Sequence, residues 1–126
     1  MGLRTINTLH NEHIQWLNIL EFYRDDIRIL QKRIEEIAAR NSDKEVLAYV
    51  EHFQNMLILQ KEKIDVLSHD IRNHEKYISQ KVDVSHTEGG TQSALDHPQH
   101  RQKIKDFEKS FLEMRIELYA FAAKWM

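Results

Sequence analysis

The chain contains no cysteine, one proline and three glycines in 126 residues. The missing thiols exclude disulfides, thiolate metal sites and cysteine nucleophiles. So little proline and glycine leaves few of the tight turns that sheets require. Neither sign of charge prevails: 18 Lys and Arg stand against 20 Asp and Glu, a formal net charge of −2. No global positive field therefore favours nucleic acid or an anionic membrane. No apolar run approaches the roughly 20 residues that span a bilayer, and the start lacks the apolar segment of about 7–15 residues that marks a signal peptide. There is no phosphate-binding glycine loop and no nucleophile motif. The expectation is a soluble cytoplasmic protein, one domain over 1–126.

What the chain does have is helical period. Between Ser42 and Val82, positions alternating three and four apart pick out Val46, Val50, Phe53, Leu57, Gln60, Ile64, Leu67, Ile71, His74 and Ile78. The intervening residues are mostly charged or amide, so the pattern is an amphipathic helix with a coiled-coil-like seam, not a strand. Ser42 and Glu45 have the spacing of a capping box, which starts this helix near 43. An earlier seam runs Ile6, Leu9, His13, Trp16, Leu20, Tyr23, Ile27, Leu30, Ile34 and Ile37, predicting a first helix over about 5–40. The connection through Asn41 is short, and short connections make antiparallel neighbours. The two seams mirror about it: 13 faces 74, 20 faces 67 and 30 faces 57. Residues 83–96, with Gly89-Gly90 among small polar side chains, read as a flexible loop. Pro98 suits the first turn of a third helix over 98–126, whose seam is Ile104, Phe107, Phe111, Met114, Leu118, Phe121 and Trp125. The expected fold is all-α, an up-down-up three-helix bundle.

A second stripe accompanies the first: Ile19, Phe22 and Ile29 on helix one, Tyr49, Met56, Leu59 and Val66 on helix two. The mirror relation brings these together near mid-length, either as the wide apolar arc a bundle helix needs or as a surface for a second subunit. Tyr23 and Gln60, polar groups within the seams, are expected to fix register. Glu21, Asp25, Asp26, Arg24 and Arg28 read as a solvated charged face.

Eight histidines are unevenly placed. His10 and His13 lie early in helix one, His69 and His74 late in helix two, and His97 and His100 open helix three; the up-down-up topology puts all three places at one end. His86 falls in the loop over that end, and His52 lies elsewhere. Extending the third seam backwards lands on His100 and His97, so three neighbouring seams turn from apolar residues to histidine together. Neutral imidazole is the commonest ligand for zinc, copper, nickel and iron. The candidate ligands are His13, His74 and His100, then His97, Asp70 and His10, with Asp96, Asp106 and Glu75 as carboxylates that can orient a ring. The plain counterpart is a polar bundle end whose imidazoles cap the core, or a cluster that charges together near pH 6. Neither the Glu-x-x-His of ferritin-like di-iron bundles nor the His-x-x-x-His of hemerythrin-like ones occurs.

The sequence points first to a non-enzymatic interaction or scaffold module, self-associating through its helical faces or binding a protein partner. The alternative is a bundle that binds a divalent metal such as zinc through residues 10–13, 69–74 and 97–100, with a metal-dependent enzyme as its catalytic variant.

Overall fold

The computed structural model describes residues 2–82 and 88–125, with side chains at 7–77 and 97–125. It is all-helical: α1 (Gly2–Arg40), α2 (Lys44–Val82) and α3 (Glu88–Trp125), with no strand among the described residues. Each helix packs against both others. None of them, among the described residues, is long and apolar enough to cross a membrane.

The seams are what the helices bury. Every described seam residue of α1 and α2 is buried, the polar His13, Tyr23, Gln60 and His74 included, and on α3 the run from Ile104 to Phe121 is buried with Trp125 packed at its end. Ile6 and Ile78 lie outside the described side chains. Contacts between α1 and α2 descend on one as they rise on the other: His10 and His13 meet Glu75 and His74, and Arg24 meets Asp65. The two seam residues expected to set register both reach α3. Tyr23 donates to Glu108 Oε2 at 3.2 Å, and Gln60 Nε2 donates to Ser110 Oγ at 3.1 Å.

The α1–α2 connection is capped at both ends. Asn41 Nδ2 donates to the Ile37 carbonyl at 2.8 Å, satisfying an acceptor that the last turn of α1 would otherwise leave open. The cap of α2 is Asp43 and not Ser42. Its Oδ1 accepts from the Glu45 amide at 2.8 Å, and its carbonyl takes the first helical bond, from the Leu47 amide at 3.0 Å. A carboxylate there also complements the positive end of the helix dipole, so the Ser42–Glu45 box gives way to the residue one position on.

Three further expectations are corrected. The helix of α3 starts at Glu88, and Pro98 lies inside it, so residues 88–96 are helical and not loop; residues 83–87 of the expected loop lie outside the described residues. A proline in a helix removes one amide donor and costs about 3 kcal/mol. That preference is local, whereas His97 just before it is buried on Trp16 with ring centroids 4.6 Å apart, and tertiary contact of this kind overrides propensity. Asp26 is not solvated but buried, with Oδ2 3.4 Å from Arg115 Nε of α3; the rest of that face does pair locally, Arg24 with Glu21 and Arg28 with Asp25. No described contact joins the second stripes; Ile19 and Met56 are instead partly buried against the core, as in the wide apolar arc of a bundle helix. Leu59 and Val66 line a groove with Phe107 of α3, and Tyr49 stacks near Phe121. On α1, Phe22 and Ile29 stay exposed, four before and three after the Asp26 that faces α3. The mirror relation matches positions along two helices but not their faces, and the third helix separates the stripes to its two flanks.

Two outcomes follow from the core. Phe111 is fully buried against Tyr23 and Phe107, so Phe111→Ala is expected to cost about 3–5 kcal/mol in urea unfolding; a loss under about 1 kcal/mol would mean the ring is not enclosed as seen. Burial, reinforced by the charge of Glu108, raises the Tyr23 phenol above its usual value. A raised folded-state value gives stability that is present below the ordinary titration near about 10 and lost as pH rises through the folded value. Absorbance titration should show a late-ionising fraction of phenolate that disappears in Tyr23→Phe. Superimposable curves for the two proteins would refute that environment.

Candidate metal centre

One histidine from each helix converges where the seams change character. His13 of α1, His74 of α2 and His100 of α3 each offer a ring nitrogen, and these atoms lie within 4.8 Å of one another. His13 and His74 are buried and His100 partly so. The placement is a consequence of helical period: all three occupy continuations of the apolar seams, so the packing that buries Leu20, Leu67 and Ile104 carries the imidazoles inward too.

Glu75 settles the chemistry of His13. Its Oε2 accepts from His13 Nδ1 at 2.6 Å, and its Oε1 is bonded by His10 Nδ1. Burial alone would raise the Glu75 carboxyl, but the hydrogen bonds from His13 and His10 outweigh it and hold the group below the usual carboxylate range. An ionised carboxylate only accepts, so Nδ1 of His13 carries a proton toward Glu75, and Nε2 is the ring nitrogen left to face the other imidazoles. It stands 3.1 Å from His74 Nδ1. Two nitrogens on one tetrahedral zinc stand roughly 3.3 Å apart, given bonds of about 2.0–2.1 Å. The His13–His74 pair already has that spacing, and His100 closes the triangle with its ring edge-on to His74, centroids 4.8 Å apart. The carboxylate–histidine arrangement is the one that fixes tautomer and raises ligand basicity in metal sites. As a donor set, three imidazoles suit zinc, copper, nickel or iron, and the group can hold such an ion.

The other candidates fall around this group. His97 is 2 % exposed, its ring 5.1 Å from that of His13 and 6.1 Å from that of His74. Its Nε2 stands 3.2 Å from Glu12 Oε1, outside hydrogen-bonding geometry, and among the described residues its Nδ1 has no hydrogen-bond partner. Burial pushes the His97 imidazole below its usual value, against the pull of Glu12. His10 is exposed and held by Glu75 on the outer side of His13. Asp70 is not in the group; it lines the α2–α3 groove with Lys103 and Phe107. His69 is exposed beside Asn73, and His52 lies against Phe53, away from the cluster. Asp106 accepts from Gln102 and does not reach an imidazole. The side chain of Asp96, and all of His86, lie outside the described residues.

Two residues of the site have no warning in the seam pattern. Glu12 takes a forked bond from Arg101, Nη2 donating at 2.8 and 3.0 Å and Nε at 3.2 Å, and so bridges α1 to α3 beside His97. Burial would raise Glu12, but the Arg101 bonds and the charge of His97 leave it below the usual range. Finding this pair required the register of α3 against α1, which an intervening loop of expected length 83–96 left open. No family model, curated protein or solved structure matches this chain.

Proposed function

We propose that this chain is a non-enzymatic, cytoplasmic helical bundle that binds one divalent transition-metal ion, zinc for preference, as a clasp between its three helices. The observation that carries the reading is the convergence of His13, His74 and His100, one from each helix, within 4.8 Å and with Glu75 behind His13. The helices run up-down-up with coiled-coil-like packing in this reading. It is supported by the descending contacts between α1 and α2 and by the three-and-four spacing of the buried residues. An ion at these ligands ties the early part of α1, the late part of α2 and the part of α3 just past Pro98. Metal binding would then be folding free energy, because no such site exists in the unfolded chain.

Elemental analysis of chain purified without chelator should find one metal ion per molecule. Zinc at about 100 times its dissociation constant adds about 2.7 kcal/mol, a rise of roughly 10 °C in melting temperature for a chain of this size. His13→Ala and His74→Ala should abolish that rise, and Glu75→Gln should weaken zinc about 10- to 100-fold. Metal-free protein whose melting ignores zinc, copper and nickel would end the reading.

Self-association is the second reading, and a separate observation favours it. Phe22 is 61 % exposed and Ile116 70 %, with Ile29, Leu112 and Tyr119 also exposed. Such large apolar side chains commonly mark contact surfaces. Sedimentation should give a mass above that of one chain, falling to the monomer in Phe22→Asp. A monomeric mass for the unaltered protein would remove this reading and leave the metal reading untouched.

A further inference from the structure

The cluster holds more imidazole than a three-ligand site uses. Two imidazoles bound to one tetrahedral ion, with metal–nitrogen bonds of about 2.0–2.1 Å, place their ring centroids roughly 5 Å apart. The centroid distances here are 5.0 Å for His13–His74, 4.8 Å for His74–His100 and 5.1 Å for His13–His97. His74–His97 is longer, at 6.1 Å. The ring of His97 thus stands beside two of the three clustered imidazoles, although its nitrogens do not yet point into the group.

Two observations bear on His97 independently of that spacing. It is almost wholly buried, yet its Nδ1 has no hydrogen-bond partner among the described residues and its Nε2 meets Glu12 outside bonding geometry. A buried polar atom left in that condition costs on the order of 1–3 kcal/mol, so the ring is stored in a state that another partner would relieve. The carboxylate beside it is not left unpaired if His97 turns away, because Arg101 grips both oxygens of Glu12.

We propose that His97 is the fourth ligand, turning a nitrogen from Glu12 toward the ion and closing a four-histidine tetrahedral centre. The inference rests on the metal reading above and names the coordination class of that same site. His97 and His100 are an i,i+3 pair on one face of α3, so this helix contributes two ligands while α1 and α2 contribute one each. Four protein ligands leave no position for water or substrate, which is the condition of a structural zinc site and not of a catalytic one. The ion holds the helices together and does no chemistry. Trp16, with its ring 4.6 Å from that of His97 and 5.7 Å from that of His13, closes the site on its apolar side.

Cobalt(II) added to the full chain distinguishes the possibilities, since its visible bands are intense when tetrahedral and weak at higher coordination. The unaltered protein should give intense bands that azide does not change. His97→Ala should bind cobalt more than about 100-fold more weakly, beyond the loss seen for outer partners of a ligand, and its bands should respond to azide. Added imidazole should restore the tetrahedral spectrum, which a merely structural role for His97 would not allow. Bands in the unaltered protein that shift with azide would overturn the fourth-ligand assignment while leaving the three-histidine reading in place. A His97→Ala protein equal to the unaltered one in affinity and spectrum would do the same. Should His97→Ala lose its helical circular dichroism, the azide response of the unaltered protein decides alone. No cobalt bound at all would overturn both this assignment and the metal reading beneath it.

Discussion

A helix of 38 or 39 residues with an apolar residue at every third or fourth position cannot shield that stripe by itself, and α1, α2 and α3 all have this form. Each fully buried Leu, Ile or Phe of the seams is worth about 1.5–3 kcal/mol relative to exposure, far more than the tenths contributed by a surface ion pair such as Arg28–Asp25. The mutual burial of three stripes therefore sets where everything else lies. Polar groups caught on the stripes must find their partners inside the packing, and the ones seen do so across helices. Tyr23 and Gln60 reach α3, and His13 reaches α2. Each such contact is satisfied in only one register, because sliding a helix by a turn moves the partner by about 5 Å.

The same constraint explains the histidine cluster without any special device to bring it together. The seam positions that hold Leu20, Leu67 and Ile104 in mid-chain continue into positions that hold His13, His74 and His100. Burial there is imposed by the packing further along, and the imidazoles inherit it. Around them the flanking positions supply carboxylates, Glu75 on the side shared by α1 and α2 and Glu12 on the side shared by α1 and α3. An apolar seam thus becomes a ring of imidazoles backed by two carboxylates, one of them neutralised by Arg101.

The buried face of every helix was legible because burial and period are the same signal. The meeting of His13 with His74 was legible too, since a short connection fixes the register of α2 on α1. What sequence reading missed is of another kind. Whether Ser42 or Asp43 caps α2 turns on one residue of helix phase, and both are good caps. The start of α3 was misplaced because Pro98 is a strong local signal and the contact that outweighs it, His97 on Trp16, is tertiary. Asp26, Glu12 and Arg101 sit at the borders of their seams, where the neighbour is solvent or α3 according to a register the loop does not fix. The flanks of the stripes went wrong for the same reason: pairing by position along two helices says nothing about which face a third helix covers.

The composition of the cluster bears on what it is for. Isoleucine or leucine at positions 13, 74 and 97 would pack there without any polar atom to satisfy, and replacing buried polar groups by apolar ones of similar volume is often stabilising. Three buried imidazoles instead bring desolvation, and the unpartnered Nδ1 of His97 shows that the surrounding side chains do not relieve all of it. Register alone does not require them, since Tyr23 and Gln60 already mark it. Capping a wet helix end accounts less well for His13, which is 1 % exposed. Glu75 orders one ring so that its Nε2 faces a second imidazole and not solvent. Ring nitrogens gathered at a common interior point are costly without a cation and favourable with one, and that asymmetry is what supports the proposal that the cluster is a ligand set.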